Sequence, residues 1–174
     1  MQDKSCGYSK LQRMKWNKAV LLLGSNMGSR AHHVMSACNY LDTFAGDIVK
    51  SSSFYETSAW GKTDQESFLN LAVVLLTPYP PQLLITKILS IEKMMGRKRE
   101  EKYGPRTIDI DIILFEKKIV RSENLVFPHP EMQNRRFVLI PMVELVPNFL
   151  HPVFNKSMRT LLEECDDNLT VKRL

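Results

Sequence analysis

Cysteine is scarce in this 174-residue chain, and its three copies, Cys6, Cys38 and Cys165, lie far apart. No C-x-x-C pair occurs, which argues against a zinc site and against a disulfide framework. The sequence also lacks an apolar run of about 20 residues, the length that a membrane-spanning helix needs. No apolar signal core opens the chain. We therefore expect a cytoplasmic protein with no membrane partner.

Two common phosphate-binding motifs, G-x-x-x-x-G-K-[ST] and G-x-G-x-x-G, are absent as well. The segment from Gly24 to Gly28 follows an apolar run but has no lysine, and we interpret it as a strand-to-helix turn. Gly24, having no side chain, would still allow a ligand to approach the backbone. The formal net charge of +5 suits an anionic partner, which could be a nucleotide, a nucleic acid or a membrane surface.

Composition and periodicity predict one α+β domain. With 44% hydrophobic and 25% charged residues, the chain has the make-up of a globular protein. We expect a flexible N-terminal extension over residues 1–17 and a folded domain over residues 18–174. The order β-α-β-β-α-β is that of a ferredoxin-like sandwich, with both helices on one face of the sheet and additional short strands and helices towards the C-terminus. Hydrophobic patterns predict strands at 19–23, 48–55, 68–76 and 108–115, helices near 34–41, 84–95 and 155–164, and loops at 57–66 and 96–106.

Two carboxylates alternate with isoleucines in the run from 104 to 112. On a strand, Ile108, Ile110 and Ile112 would face the core, and Asp109 and Asp111 would project together from the other face. Two carboxylates so close repel each other unless a cation neutralises them, and Mg²⁺ prefers such oxygen ligands. The alternative is a solvated strand face that carries two acids by chance.

Basic residues surround this acidic pair on both sides. They could form salt bridges with the carboxylates, or they could bind phosphate oxygens, for which arginine offers a planar fork of donors. A flexible basic loop beside a metal-bearing strand favours the phosphate interpretation. The residues concerned are Arg97, Lys98, Arg99, Lys102, Arg106, Arg135 and Arg136.

Phe68 and Asn70 should share one face of their strand, opposite the apolar face. An aromatic ring beside an amide suits a flat heterocycle, which stacks on the ring and exchanges hydrogen bonds with the amide. The alternative is a second packed layer. His129 lies between two prolines, where a turn histidine without a role is usual, but its position between the carboxylates and Arg135 makes a phosphate contact reasonable.

Several of these motifs, in this order, resemble the 6-hydroxymethyl-7,8-dihydropterin pyrophosphokinases of folate synthesis, over about residues 19–165. The run G-P-R-x-x-D-x-D is specific even alone. The matching pieces are Leu23-Gly24-Ser25-Asn26, Ser53-Phe54-Tyr55-Glu56-Thr57, Phe68-Leu69-Asn70, Ile91-Glu92, Gly96-Arg97, G-P-R-T-I-D-I-D-I-I-L-F at 104–115, Pro128-His129 and Asn134-Arg135-Arg136-Phe137.

The resemblance implies a diphosphokinase that moves the pyrophosphoryl group of ATP to the hydroxymethyl group of the dihydropterin and releases AMP. It implies two Mg²⁺ ions on Asp109 and Asp111, with Arg97 and Arg106 also catalytic. The ATP site would comprise Glu92, Arg97, Arg99, Arg106, Ile112, His129 and Arg135. The pterin site would comprise Gly24, Thr57, Ser58, Trp60, Phe68, Asn70, Tyr103 and Phe137.

Departures from the family pattern leave the metal ligands and pterin rings in place. Tyr103 stands where tryptophan is common, Ser58 where proline often follows the threonine, and Pro130 where tyrosine is frequent. The shorter loop after Gly96 makes the match of Arg99 less secure than that of Arg97. We expect these differences to change affinities more than the reaction.

Two other functions fit the same frame. A nucleotidyl-transferase palm would use paired acids and metals on a primer strand and would bind no pterin. An RNA-binding module would want exposed aromatics in an RNP1-like run, which Leu114-Phe115 matches poorly. The preferred interpretation has only small-molecule substrates, no nucleic acid, and a possible physical link to the next folate-pathway enzyme.

Overall fold

A computed structural model describes residues 15–58, 66–97, 104–122 and 125–174 of the chain. A 3₁₀ turn at Met132–Asn134 precedes the third helix. The elements are β1 (Asn17–Ser25), α1 (Arg30–Phe44), β2 (Asp47–Ser51), β3 (Tyr55–Thr57), β4 (Phe68–Thr77), α2 (Pro81–Met94), β5 (Asp109–Phe115), β6 (Val120–Ser122), β7 (Leu125–Phe127), α3 (Arg136–Leu145), α4 (Met158–Glu163) and β8 (Val171–Arg173).

The main sheet has the order β5-β1-β4-β3-β8. Strand β2 also pairs with β4, but nearer to the C-terminal end of β4 than β3 does. All of these pairings are antiparallel. The predicted β-α-β-β-α-β order and ferredoxin-like α+β class are therefore confirmed. The first strand begins at Asn17, whose side-chain amide donates to the backbone oxygens of Thr77 and Tyr79.

One predicted strand, at 48–55, was wrong in its extent. The chain forms two strands there, and Ser52 marks the break between them. The Ser52 backbone N–H donates to the Ala72 oxygen at 2.9 Å, while the Ser52 hydroxyl oxygen accepts from the Ala72 N–H at 3.0 Å. This side chain replaces one ladder bond, and β3 then continues to Thr57, which had been predicted as the first loop residue.

Helices α1 and α2 cover one face of the sheet, as predicted. Their buried residues Val34, Leu41, Leu84 and Ile88 belong to one core cluster with the strand residues of that face. Helix α2 begins at Pro81, where a proline is tolerated because the N–H groups of the first turn have no helical partner. The aliphatic stripe read from the sequence thus places both helices correctly.

The opposite face is covered by α3 and α4, and here the prediction of only short elements was wrong. Helix α3 runs for ten residues and contains Pro141. Burial of Val138, Leu139 and Met142 against the sheet outweighs the backbone hydrogen bond that the proline removes. Helix α4 starts at Met158, later than predicted, because the Ser157 hydroxyl caps it by accepting from the Thr160 N–H.

Cys38 and Cys165 are free thiols and both are partly buried. Burial, followed by the nearby Asp42 carboxylate, raises the pKa of Cys38 to about 11, so this thiol stays protonated at neutral pH. Across the described ranges, no helix is both long enough and apolar enough to span a bilayer.

Candidate active site

A cleft opens where one end of the central strands meets the first turn of α3. Most residues predicted for a site line it, although they come from four strands, three connecting segments and one helix. The lining residues are Leu22, Gly24, Thr57, Ser58, Phe68, Asn70, Gly104, Arg106, Asp109, Asp111, Arg135 and Phe137. Leu22 and Gly104 were not predicted, because an apolar side chain and a glycine carry no chemical signal of a site.

Strand pairing explains why the floor of the cleft is open. Gly24 on β1 pairs with Asp109 on β5 and with Asn70 on β4, so the acidic and amide side chains flank a position without a side chain. A Cβ atom at Gly24 would lie 2.7 Å from the Asn70 Oδ1 atom, which is too close for any contact. Glycine therefore keeps the space between the carboxylates and the amide free.

Asp109 and Asp111 project from β5 into the cleft, away from the isoleucine face that packs in the core. The alternative of a solvated strand face is wrong for Asp111. Burial, followed by the charges of Asp109 and Glu92, raises the pKa of Asp111 to about 7. The cleft therefore concentrates negative charge at a buried position, which is the arrangement that a divalent cation relieves.

Arginine side chains reach the acidic pair from two segments. Arg97 lies 2.8 Å from the Asp109 carboxylate, and Arg106 also pairs with Asp109. The salt-bridge interpretation of these arginines is confirmed, and it holds their guanidinium groups beside the carboxylates. Because both arginines contact Asp109 rather than Asp111, the two carboxylates have different charge environments.

Glu92 is placed differently from the nucleotide contact expected of it. Its side chain is only 2% exposed and lies outside the cleft lining. One carboxylate oxygen pairs with Arg97 and accepts from the Ile110 N–H at 2.8 Å. Burial raises the pKa of Glu92. This acid therefore ties α2 to both β5 and Arg97 and acts on the cleft through them.

Asn26 is a residue whose role the sequence interpretation missed. Its Oδ1 atom accepts from the Arg106 N–H at 2.7 Å, and its own N–H donates to the Arg106 oxygen at 3.2 Å. Its Nδ2 atom donates to the Glu66 oxygen. The segment after Gly24 is thus more than a turn, because its amide fixes the backbone that carries Arg106. No local pattern signals a contact to a residue 80 positions away.

Phe68 and Phe137 are the aromatic residues of the cleft, and both are half-buried. From β4 to β3, the Asn70 Nδ2 donates to the Thr57 hydroxyl at 2.8 Å. The Arg135 guanidinium carbon lies 6.0 Å from the centre of the Phe137 ring. The cleft thus combines two rings with an oriented amide and a nearby cation.

The alternative of a second packed layer is correct for the rest of this strand face. Ala72 and Val74 follow Phe68 and Asn70 on the same face of β4, and they pack in the cluster under α3 and α4. The face is therefore core along most of β4 and becomes cleft only at its N-terminal end.

Two further predicted residues that the structure describes, His129 and Ile112, do not line this cleft. His129 borders a neighbouring cleft, where its N–H donates to the Ile113 oxygen at 3.0 Å. Burial and then the Arg135 charge lower the pKa of His129, so the ring is neutral near neutral pH. The Ile112 side chain belongs to the core. Trp60, Arg99 and Tyr103 lie outside the described residues.

Comparison with known proteins identifies one family. The family model described as 7,8-dihydro-6-hydroxymethylpterin-pyrophosphokinase (HPPK) matches residues 20–147. A 2-amino-4-hydroxy-6-hydroxymethyldihydropteridine pyrophosphokinase of Aquifex aeolicus is 40% identical over 142 residues, covering 82% of this chain and 88% of the relative. The protein of that name from Bacillus subtilis is 42% identical over 130 residues, covering 74% and 78%.

Longer proteins match over part of their length. The folic acid synthesis protein fol1 of Pneumocystis carinii is 32% identical over 173 residues, covering 97% of this chain but 23% of that protein. A crystal structure of Plasmodium falciparum HPPK-DHPS has a TM-score of 0.72 at 20% identity, which is a likeness of fold. The alignment covers 88% of this chain, and the chain spans less than half of that structure, 45%.

Proposed function

Because this chain belongs to the 7,8-dihydro-6-hydroxymethylpterin-pyrophosphokinase family, we propose that it transfers the pyrophosphoryl group of ATP to 6-hydroxymethyl-7,8-dihydropterin. The products are AMP and the pterin diphosphate, and the reaction belongs to folate biosynthesis. One observation carries the proposal: a single cleft is lined by a partly buried acidic pair, an arginine ion-paired to it, two aromatic rings and an oriented amide. Family membership favours this reaction over primer extension and over RNA binding.

The pterin ring is assigned to the aromatic half of the cleft. Phe68 and Phe137 are positioned to contact a flat heterocycle, and Asn70 supplies both a donor and an acceptor to its polar edge. Its amide is oriented by the Thr57 hydroxyl. Ser58 lies on the same wall, and Gly24 leaves the floor open. Trp60 and Tyr103 are assigned to the same substrate on the family resemblance.

The acidic pair fits magnesium. The described residues contain no group of three or more His, Cys, Asp or Glu side chains that could hold a metal. Two carboxylates suffice, since Mg²⁺ is usually bound by one or two of them together with waters and substrate phosphates. Burial, followed by the charges of Asp109 and Glu92, raises the pKa of Asp111, and a bound divalent cation would favour its charged form. We assign two Mg²⁺ ions to Asp109 and Asp111; when bound, they would neutralise charge on the ATP phosphates and polarise the phosphorus under attack.

The arginines bind the triphosphate in this account. Arg97 and Arg106 already lie beside Asp109, and Arg106 lines the cleft. A guanidinium group can exchange a carboxylate for a phosphate with the same two-pronged geometry. Arg99, Arg135 and His129 complete the proposed nucleotide site. Ile112 would contribute through its backbone, and Glu92 by holding Arg97.

Catalysis then depends on positioning and on charge neutralisation, since phosphoryl transfer needs little covalent help from protein groups. The aromatic pair and Asn70 would hold the hydroxymethyl oxygen of the pterin in line with a phosphorus. Arginine donors stabilise the charge on the phosphate oxygens as the bond to the leaving group breaks.

We also propose that residues 18–174 form the catalytic domain and that residues 1–17 are an extension. The proposed location of the protein is the cytoplasm. Relatives that are longer than this chain include an HPPK-DHPS protein, and a physical link to the next enzyme of the pathway is part of the proposal.

An omission experiment tests the proposed function. The protein is incubated with Mg·ATP, with and without hydroxymethyldihydropterin, and ATP consumption is followed. We expect consumption only when the pterin is present, and none with pterin and ATP when the divalent cation is chelated. ATP consumption that requires a primer strand instead would contradict the proposal.

A further inference from the structure

The C-terminal tail, residues 166–174, contacts two elements that each carry a wall of the cleft. One wall comprises Thr57 and Ser58 at the end of β3, and the other comprises Arg135 and Phe137 at the start of α3. We propose that the tail positions these walls for the pterin. This inference rests on the proposed function, because it assigns the pterin to the space between them.

The first contact is at the beginning of α3. The Asp167 Oδ2 atom accepts from the Arg136 N–H at 2.8 Å, and its Oδ1 atom accepts from the Leu169 N–H at 3.0 Å. The first N–H groups of a helix have no partner within the helix. No side chain at the helix start itself caps α3, so Asp167 supplies this acceptor from 31 residues away. A carboxylate there also interacts favourably with the helix dipole.

The helix turn that Asp167 holds is the turn that forms the wall. Arg136 stands between Arg135 and Phe137, and those two residues line the cleft. Any rotation of this turn would move the Phe137 ring relative to Phe68 on β4. Asp167 is therefore a positioning residue, because its carboxylate contacts backbone and not the proposed substrate site.

The second contact is along β3. Strand β8 pairs with β3 in antiparallel register, with Val171 opposite Thr57 and Arg173 opposite Tyr55. The Leu174 N–H extends this pairing by donating to the Phe54 oxygen at 3.0 Å. Because β3 is only three residues long, β4 on one side and β8 on the other supply the ladder bonds that hold it.

Side chains connect this second contact to the other end of α3. The Arg173 Nε donates to the Ser53 hydroxyl at 2.9 Å, and its guanidinium lies 3.6 Å from the Glu144 carboxylate. Glu144, in the last turn of α3, also accepts from the Tyr55 hydroxyl at 2.7 Å and from the Ser53 N–H. Tail, β3 and α3 thus form a closed set of contacts, with the tail touching α3 at its beginning and β3 along its length.

Two neighbouring aspartates make a matched test. Asp167→Ala removes the contact to α3. Asp166→Ala changes an exposed aspartate one position earlier. A chain ending at Thr170 removes β8. Asp167→Asn keeps one acceptor oxygen and serves as the conservative variant.

The measurement is the affinity for 6-hydroxymethylpterin, followed by its own fluorescence without turnover, beside the KM for ATP and the thermal midpoint. For Asp167→Ala and for the truncation we expect pterin binding to weaken about tenfold, since small misplacements of binding groups have effects of this size or larger. The KM for ATP should change by less than about twofold, the range of neutral substitutions. Asp166→Ala should match the unmodified chain, and Asp167→Asn should recover part of the affinity.

A variant that combines Asp167→Ala with the chain ending at Thr170 tests whether the two contacts act together. If both contacts set one distance, losing the second after the first should add little, so the combined effect on pterin affinity should be smaller than the product of the two. Unchanged pterin affinity in Asp167→Ala, together with a lower thermal midpoint, would overturn the inference and leave the tail with a stabilising role only. Failure of the unmodified chain to bind the pterin would instead overturn the proposed function and this inference with it.

Discussion

Asp109 and Asp111 project from the same face of β5 into one cleft, yet of these two carboxylates only Asp109 forms ion pairs with arginines of the described residues. Burial, followed by the charges of Asp109 and Glu92, raises the pKa of Asp111 to about 7. The two carboxylates are therefore unequal before any substrate binds. Replacing the two carboxylates should therefore affect activity in the same way, but only for Asp111 do we predict a gain in stability.

Replacing either carboxylate should abolish most of the activity. Asp109→Ala and Asp111→Ala should each reduce kcat by several orders of magnitude, because each removes charge stabilisation of several kcal/mol and ~1.4 kcal/mol is tenfold in rate. Steady-state kinetics with both substrates saturating gives the values. Asp47→Ala, which alters an exposed aspartate on β2, is the control and should be fully active. Near-normal turnover in Asp111→Ala would contradict the metal assignment.

Asp111 should also reduce the stability of the metal-free protein. A carboxyl group whose pKa is higher in the folded state than in the unfolded state opposes folding above that folded pKa; the effect disappears as the pH falls through about 7 towards about 4. We therefore expect Asp111→Asn to raise the thermal midpoint at about pH 8, where ~1 kcal/mol corresponds to about 2–4 °C for a chain of this size.

The same variant should show little gain at about pH 4.5, where Asp111 is protonated in the folded state. Calorimetry or circular dichroism in the presence of a chelator gives the midpoints. Added Mg²⁺ should stabilise the unmodified protein more than the variant, since the ion binds only the folded form. If Asp111→Asn and the unmodified protein had the same thermal midpoint at each of the two pH values, Asp111 would have to be neutralised by another group.

Phe137 should matter for the pterin and not for ATP. Phe137→Ala should weaken pterin binding by about 1–3 kcal/mol, the scale of stacking a base on an aromatic ring. Titration with the pterin and with an ATP analogue measures both affinities. Phe44→Ala, which removes an exposed ring at the end of α1, outside both clefts, is the matched control. Equal weakening of both ligands would identify Phe137 as a core residue whose loss loosens the whole site.

Glu92 should act through Arg97 and β5. Glu92→Ala leaves the buried Ile110 N–H without its acceptor and should destabilise the protein by about 1–3 kcal/mol. Glu92→Gln keeps an acceptor for Ile110 and should restore most of the stability, but it loses the charge that holds Arg97. We expect the KM for ATP to rise in both variants. An unchanged KM in Glu92→Gln would show that Arg97 needs no anchor.

The elements that could be predicted from sequence are those with strong local patterns. Alternating isoleucines and aspartates on β5 fixed which side chains face the cleft, and apolar spacing located α1 and α2. Helix α3 was not predicted because it contains Pro141, and its stability depends on burial against the sheet rather than on local helix preference. The split at Ser52 depends on pairing with β4.

The residues that the sequence missed share one property. Asn26 and Asp167 act on backbone atoms that are distant in the chain, through hydrogen bonds that leave no local pattern. Glu92 was predicted at the site, but its contacts run to Arg97 and to β5. Sequence reasoning therefore found side chains that face the cleft better than those that hold it in place.

The identity of the nucleotide product tests the central claim most directly. Physical arguments allow attack at either the β- or the γ-phosphorus, because the arginines, together with metal ions held by the carboxylates, would neutralise charge at both. Mg·ATP and hydroxymethyldihydropterin are incubated with the protein, and the nucleotides are separated and quantified. We predict AMP in an amount equal to the pterin consumed, and no AMP when the pterin is omitted. ADP as the product would contradict pyrophosphoryl transfer.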